Sequence, residues 1–336
     1  VPKILTATAS ASNKVYNGDN TATTTLTLSG LIGSETLNST NTSTFNNKNV
    51  GTSKSITVNS ITLANGSNGD LASNYSISPG QTTTANITAK ALTVSGITAS
   101  NKIYDGNTVA TLNTGGVTYT GLVGGDVFNG TYTGAFSDKN VGTGKTVTIT
   151  PSYTGTDVGN YSVNDHANVT ANITAKTLTA TASASNKVYD GNNTATTTLT
   201  LSGFIGSETL NSTNTSTFNN KNVGTGKSVT VNSITLANGT NGGLAANYSI
   251  SPGQTTTANI TAKALTVSGI IALNKVYDGN ATATLNTSSV LYSGLVPGDI
   301  FNGTYTGAFS DKNAGVNKTV TITPSYTGTD VGNYSV

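Results

Sequence analysis

The chain has 336 residues and a net charge of +2, and only 9% of it is charged, against a usual quarter or so. It has no Cys, Met or Trp, no Arg and a single histidine, His166, which excludes disulfides and thiolate metal sites. The 16 lysines are spread evenly and form no basic block, and no apolar run approaches the ~20 residues of a membrane helix, so nucleic-acid binding and membrane insertion of this segment are not expected.

Taken in chain order, the first elements are Lys14-Val15-Tyr16-Asn17-Gly18 and the alternating run Thr24-Thr25-Leu26-Thr27-Leu28-Ser29. The first element returns as Lys102-Ile103-Tyr104-Asp105-Gly106, Lys187-Val188-Tyr189-Asp190-Gly191 and Lys275-Val276-Tyr277-Asp278-Gly279. The first and third copies are displaced by 173 residues (187 − 14), as are the second and fourth (275 − 102), so the order is A, B, A′, B′. Ile-Thr-Ala-Lys closes at Lys90, Lys176 and Lys263, and an apolar alternating run follows at once. These marks divide the chain into 1–90, 91–176, 177–263 and 264–336, with linkers of a residue or two. Such short linkers predict a stiff array.

Within a module the hydrophobic period is two. Lys145-Thr146-Val147-Thr148-Ile149-Thr150 puts Val147 and Ile149 on one face and threonines on the other, and Ala167 to Ile173 alternates likewise. Turn pairs such as Asn65-Gly66 and Asp105-Gly106 separate the runs. The pattern predicts an all-β fold: four immunoglobulin-like antiparallel β-sandwich modules of about eight short strands, without amphipathic helices. The fourth ends at Asn333-Tyr334-Ser335-Val336 without a counterpart of Ala167 to Ile173, so it is expected to lack its final strand.

Three motifs recur. In the first, Tyr16, Tyr104, Tyr189 and Tyr277 are expected to bury their rings, and Asp105-Gly106, Asp190-Gly191 and Asp278-Gly279 to form turns. Asn17 takes the Asp position in the first copy, which speaks against a catalytic carboxylate. In the second, Phe45, Phe136, Phe218 and Phe309 read as core anchors before a Lys-Asn-x-Gly turn. The third is a turn leading into Tyr75, Tyr161, Tyr248 and Tyr334.

Lys-x-Tyr-Asp-Gly, then Gly125-Asp126-Val127 or Gly298-Asp299-Ile300, then Lys-Asn-Val-Gly, then Asp-x-Gly-Asn-Tyr, closing with Ile-Thr-Ala-Lys, resembles the YDG repeat family and the related MBG repeats. The resemblance covers essentially the whole chain. The A modules depart from it with Gly33-Ser34-Glu35 and Gly206-Ser207-Glu208. It implies a large secreted bacterial protein of the filamentous-haemagglutinin-like adhesin kind, located outside the cell or on its surface. It supplies no catalytic residues.

The chemistry-bearing residues agree with a non-enzymatic chain. His166 stands beside Asp165 in one module alone, with no triad, phosphate loop or zinc spacing. Asp126, Asp157, Asp299 and Asp330 are the candidates for structural calcium, but no Asp-x-Asp-x-Asp run exists, so no cofactor is expected. The expected role is a stalk that holds a distal binding region away from the cell, reaching about 120–160 Å if strands of roughly 30 Å stand end to end. The alternatives are a filament joined by strand addition, and repeats that bind glycans or neighbouring cells. The expected partners are further repeats of the same chain, with self-association or cell-surface glycans under the alternatives.

Overall fold

The computed structural model describes all residues, 1–336. The chain is all-β, with four repeats and no α-helix. One-turn 3-10 segments occur at Ala72–Asn74, Val158–Asn160, Ala245–Asn247 and Val331–Asn333. Two compact units, residues 1–174 and 175–336, each hold two modules.

The first module shows the plan. Its strands are β1 (Lys3–Ile4), β2 (Thr6–Ala11), β3 (Lys14–Val15), β4 (Thr21–Ala22), β5 (Thr24–Ser29), β6 (Asn38–Phe45), β7 (Gly51–Ala64), β8 (Tyr75–Ser76) and β9 (Thr82–Thr88). One sheet has the order β3-β9-β7-β6-β4, and two small sheets, β1-β8 and β2-β5, complete the module. The alternation read from sequence places Phe45, Ile56, Val58, Ala85 and Ile87 inward, all of them buried. Threonines fill the outer faces, where their β-branching favours extended backbone.

The structure departs from the sequence reading in three ways. The sheets are small and mixed, not antiparallel throughout: β1 pairs with β8 and β3 with β9 in parallel. Alternation encodes which face a residue takes, not the direction of the neighbouring strand, so it carried no sign of this. The first module has nine strands, several of only two residues. The lysine of Ile-Thr-Ala-Lys belongs to the module that follows. β9 ends at Thr88, and β10 (Lys90–Ser95) pairs through Lys90 with Tyr161 of the second module. Lys176 and Lys263 likewise open strands that pair with Tyr248 and Tyr334.

A bulge recurs where the closing strand meets the long one. Register shifts between Gly51 and Lys54 opposite β9, and Ser53 there takes a left-handed φ of 47°. Gly144 (59°), Gly226 (58°) and Asn317 (55°) hold the same place in the other modules. The amide of Ser53 donates to Asn86 Oδ1 at 2.7 Å. Serine is strained in this region and glycine is not, so Ser53→Gly should stabilise the first module by about 1 kcal/mol. Equilibrium denaturation would check this, and a loss of stability would contradict it.

Candidate functional site at the module joint

The first recurring motif holds itself together. Lys102 Nζ reaches Asp105 Oδ1 at 2.7 Å and the carbonyls of Asn107 and Val109 at 2.8 and 3.1 Å. Lys187–Asp190 (2.7 Å) and Lys275–Asp278 (2.8 Å) repeat the pair. In the first module the acid is not lost at Asn17 but moved two residues on. Asp19 Oδ1 accepts from Lys14 Nζ at 2.8 Å, so Asn-Gly-Asp replaces Asp-Gly-Asn with the charge conserved. The same lysines lie over the anchors of the second motif: Lys14 over Phe45, Lys102 over Phe136, Lys187 over Phe218 and Lys275 over Phe309, at 5.4 to 5.9 Å. Gly106, Gly191 and Gly279 all adopt positive φ, as their turns require. Tyr16, Tyr104 and Tyr189 are buried as expected, but Tyr277 is 60% exposed.

What the three motifs build together is a joint between modules. In the first unit, Tyr16 and Lys48 come from the first module and Asp126, Asp157, Asn160 and Tyr161 from the second. Asp126 Oδ2 accepts from the hydroxyls of Tyr16 (2.7 Å) and Tyr161 (2.6 Å), and its Oδ1 lies 3.0 Å from Lys48 Nζ. Asp157 Oδ1 is also 3.0 Å from Lys48 Nζ, while its Oδ2 accepts from the Val127 amide at 3.0 Å. The 3-10 turn Val158–Asn160 brings Asn160 to the Lys-Asn-Val-Gly turn. There Asn160 Oδ1 accepts from the Val50 amide at 2.9 Å, and Asn160 Nδ2 donates to Asn49 Oδ1 at 3.3 Å. Apolar packing continues through the joint: Tyr16, Phe45, Ile56 and Ile87 form one core cluster with Leu92, Phe128 and Tyr161. The Tyr16 and Tyr161 rings meet edge-on at 5.6 Å. Gly18 closes the contact; with φ +89°, it would place a Cβ 2.6 Å from Val123 Cγ1.

The second unit repeats this joint atom for atom. Asp299 accepts from Tyr189 (2.8 Å) and Tyr334 (2.5 Å), and Lys221 reaches Asp299 (3.1 Å) and Asp330 (3.2 Å). Asn333 accepts from the Val223 amide at 2.9 Å. In the corresponding turn of the A modules Tyr75 donates to Glu35 and Tyr248 to Glu208 Oε2 at 2.7 Å.

The electrostatics follow from this wiring. Burial alone would raise Asp126, but hydrogen bonds from Tyr161, Tyr16 and Lys48 outweigh it and hold its carboxyl below the ordinary range. The Val127 amide and then Lys48 do the same for Asp157. Lys48 is raised by Asp157, then Asp126 and Tyr16. Burial, then Asp126, pushes the Tyr161 phenol up to about 12, and Tyr334 rises to about 12 by burial and Asp299.

The four calcium candidates are thus brought together in two pairs, Asp126 with Asp157 and Asp299 with Asp330, and the cation between each pair is a lysine ammonium. His166 lies in the loop after Tyr161–Asn164, its Nδ1 2.6 Å from the Ala167 carbonyl; the adjacent Asp165 accepts from Tyr153 at 2.5 Å. Lys48, Asn160 and Gly18 were missed as joint residues by sequence reasoning. The repeated Lys-Asn-Val-Gly was visible, but the partner of its lysine lies 78 positions away in the next repeat.

The YDG domain family matches residues 1–85, 88–171, 174–258 and 261–336. The chain belongs to the YDG domain family. No curated protein matches it. The recurring motifs of this chain supply the joint residues: Tyr16 and Tyr189 on one side, Asp126, Tyr161, Asp299 and Tyr334 on the other.

Replacing Lys48 by Met leaves two adjacent carboxylates without their cation. The lysine side chain is 39% exposed, so solvent screening makes the expected loss of stability smaller than that of a fully buried pair. Adding Asp157→Asn should recover part of it, and a double-mutant cycle with no coupling would contradict the joint. Calcium or chelator should leave the melting temperature unchanged.

The pH dependence has a definite sign. Asp126 and Asp157 are depressed in the folded state, so their contribution is complete above the unfolded carboxylate pKa of about 4 and is lost as pH falls through the folded values. Lys48 is raised, so its contribution is complete below about pH 10 and is lost above. Thermal melts from pH 2 to 8 should show wild type losing more stability below pH 4 than Asp126→Asn/Asp157→Asn.

Proposed function

We propose that the chain is a structural spacer, the repeat region of a large extracellular bacterial adhesin or surface fibre that holds a distal binding region away from the cell. The observation that carries this reading is the joint. A spacer must resist bending where modules meet, and here the linker is one residue, Ala89, with an ion triad and a continuous apolar core beside it. We read each module as an immunoglobulin-like sandwich, supported by small sheets that pack over the five-stranded sheet. In this reading the modules do no catalysis. Asp105, Asp190 and Asp278 are paired within their own turns, and Asp126 and Asp299 are committed to joints.

The absence of cysteine allows site-specific labelling. Spin labels at Thr27→Cys and Thr148→Cys, on exposed strand faces of adjacent modules, should give one narrow distance distribution that broadens in Lys48→Met. A broad distribution in the parent would refute a stiff joint. The full chain should also show no saturable binding to surface glycans; such binding would replace the spacer by an adhesive role.

A further inference from the structure

Each B module holds a second pair of tyrosines, whose hydroxyls bond each other rather than the aspartate of the joint. Tyr119 lies on the strand Thr118–Thr120, which pairs with β10 in a three-stranded sheet. Tyr132 lies on Asn129–Phe136 of the five-stranded sheet. Both side chains are half-buried, and the 3.1 Å contact between their hydroxyls joins the two sheets. The fourth module repeats the pair with Tyr292 on Leu291–Ser293 and Tyr305 on Asn302–Phe309, again 3.1 Å apart.

A glycine makes room for each pair. A Cβ at Gly130 would stand 2.3 Å from the Tyr132 hydroxyl oxygen and 2.7 Å from that of Tyr119. At Gly303 it would stand 2.3 Å from the Tyr305 oxygen and 2.6 Å from that of Tyr292. Any side chain there would drive the hydroxyls out of their present place. The three positions also change together. Tyr119, Gly130 and Tyr132 give way to Leu28, Ser39 and Asn41 in the first module, and to Leu201, Ser212 and Asn214 in the third. The other close pair, Tyr16 and Tyr161, differs: its rings stand edge-on, both hydroxyls are held by Asp126, and Tyr16 is 1% exposed.

The chain has no Cys, Met or Trp, so phenols are its most readily oxidised groups. We propose that Tyr119–Tyr132 and Tyr292–Tyr305 are sites of oxidative cross-linking, each becoming a dityrosine staple between the two sheets of a B module. The oxidant is hydrogen peroxide acting through a haem peroxidase. Each hydroxyl gives up one electron and one proton, and the resulting phenoxyl radicals share their spin with the ring carbons beside the oxygen. One such Cε from each ring forms the new carbon–carbon bond. The hydrogens on those carbons return to the oxygens, so both phenols are restored and the pair has lost two hydrogens. The peroxide takes up the two electrons and two protons as water. In the product the hydroxyls lie side by side across the new bond, as the Tyr119 and Tyr132 hydroxyls already do. In a chain without cysteine the staple does what a disulfide does elsewhere: it closes a loop and restricts the unfolded chain. It does not depend on the spacer role.

The test treats the whole folded chain with a haem peroxidase and hydrogen peroxide, isolates the monomer and cleaves it before aspartate. This cleavage leaves each tyrosine of a pair alone on its fragment: residues 105–125 and 126–137 in the second module, 278–298 and 299–310 in the fourth. Mass spectrometry should find the two fragments of each pair joined, two hydrogens below their summed mass, and the monomer should gain dityrosine fluorescence. Tyr132→Phe/Tyr305→Phe keeps both rings and should abolish both joined products. The chain oxidised in denaturant should lose its preference for these pairs. Absence of joined fragments from the folded monomer, equal joining of other tyrosine pairs, or an equal yield from the denatured chain would each overturn the proposal.

Discussion

A carboxylate that no single module can satisfy organises this protein. Asp126 is withdrawn from water, and a buried, unpaired carboxylate costs several kcal/mol. Its own module supplies one partner, Tyr161. The preceding module supplies Tyr16 and Lys48. Sliding or tilting the two modules would strand the charge, so the contact has one favourable register. Asp299 reproduces the constraint with Tyr334, Tyr189 and Lys221. The near identity of distances in the two joints follows from near-identical sequences, down to the same linker Ile-Thr-Ala-Lys-Ala-Leu-Thr-Val.

The interior of each module serves to present these groups. Tyr16 stands at the end of β3, and its amide donates to the carbonyl of Thr88, the last residue of β9. The chain then needs one residue to enter β10, which belongs to the next module. The closing strand thus fixes both the tyrosine of the joint and the point of departure of the linker. Lys14 and its counterparts serve the same end from below, tying the turn to its acid and covering the Phe anchor.

Much of the fold was legible because period-two alternation and turn pairs are local signals. The residues Val147, Ile173, Phe45 and Phe136 were placed in the core by alternation and recurrence alone, and all are buried. The parallel pairs were not legible, because nothing in a strand of two residues such as Lys14–Val15 states which neighbour it will meet. The Asn17 position misled for a different reason. Read one position at a time, the acid seemed dispensable, yet Asp19 had taken it over within the same turn. The candidate site was half legible. All of its motifs were visible, and the pairs Asp126/Asp157 and Asp299/Asp330 were singled out, but for a metal rather than a lysine.

By itself the sequence determined four tandem β modules, their alternation, the identity of the buried faces and the turn chemistry, since each depends on residues a few positions apart. Only the tertiary structure decided that the recurring residues meet across the module boundary. Tyr16 and Asp126 are 110 positions apart, and Lys48 and Asp126 are 78. No repeat period predicts those separations, because they arise from folding one module's top against the next module's base. The cation between the two aspartates was likewise a tertiary decision: a lysine that reads as part of a turn becomes their counter-ion once the modules dock.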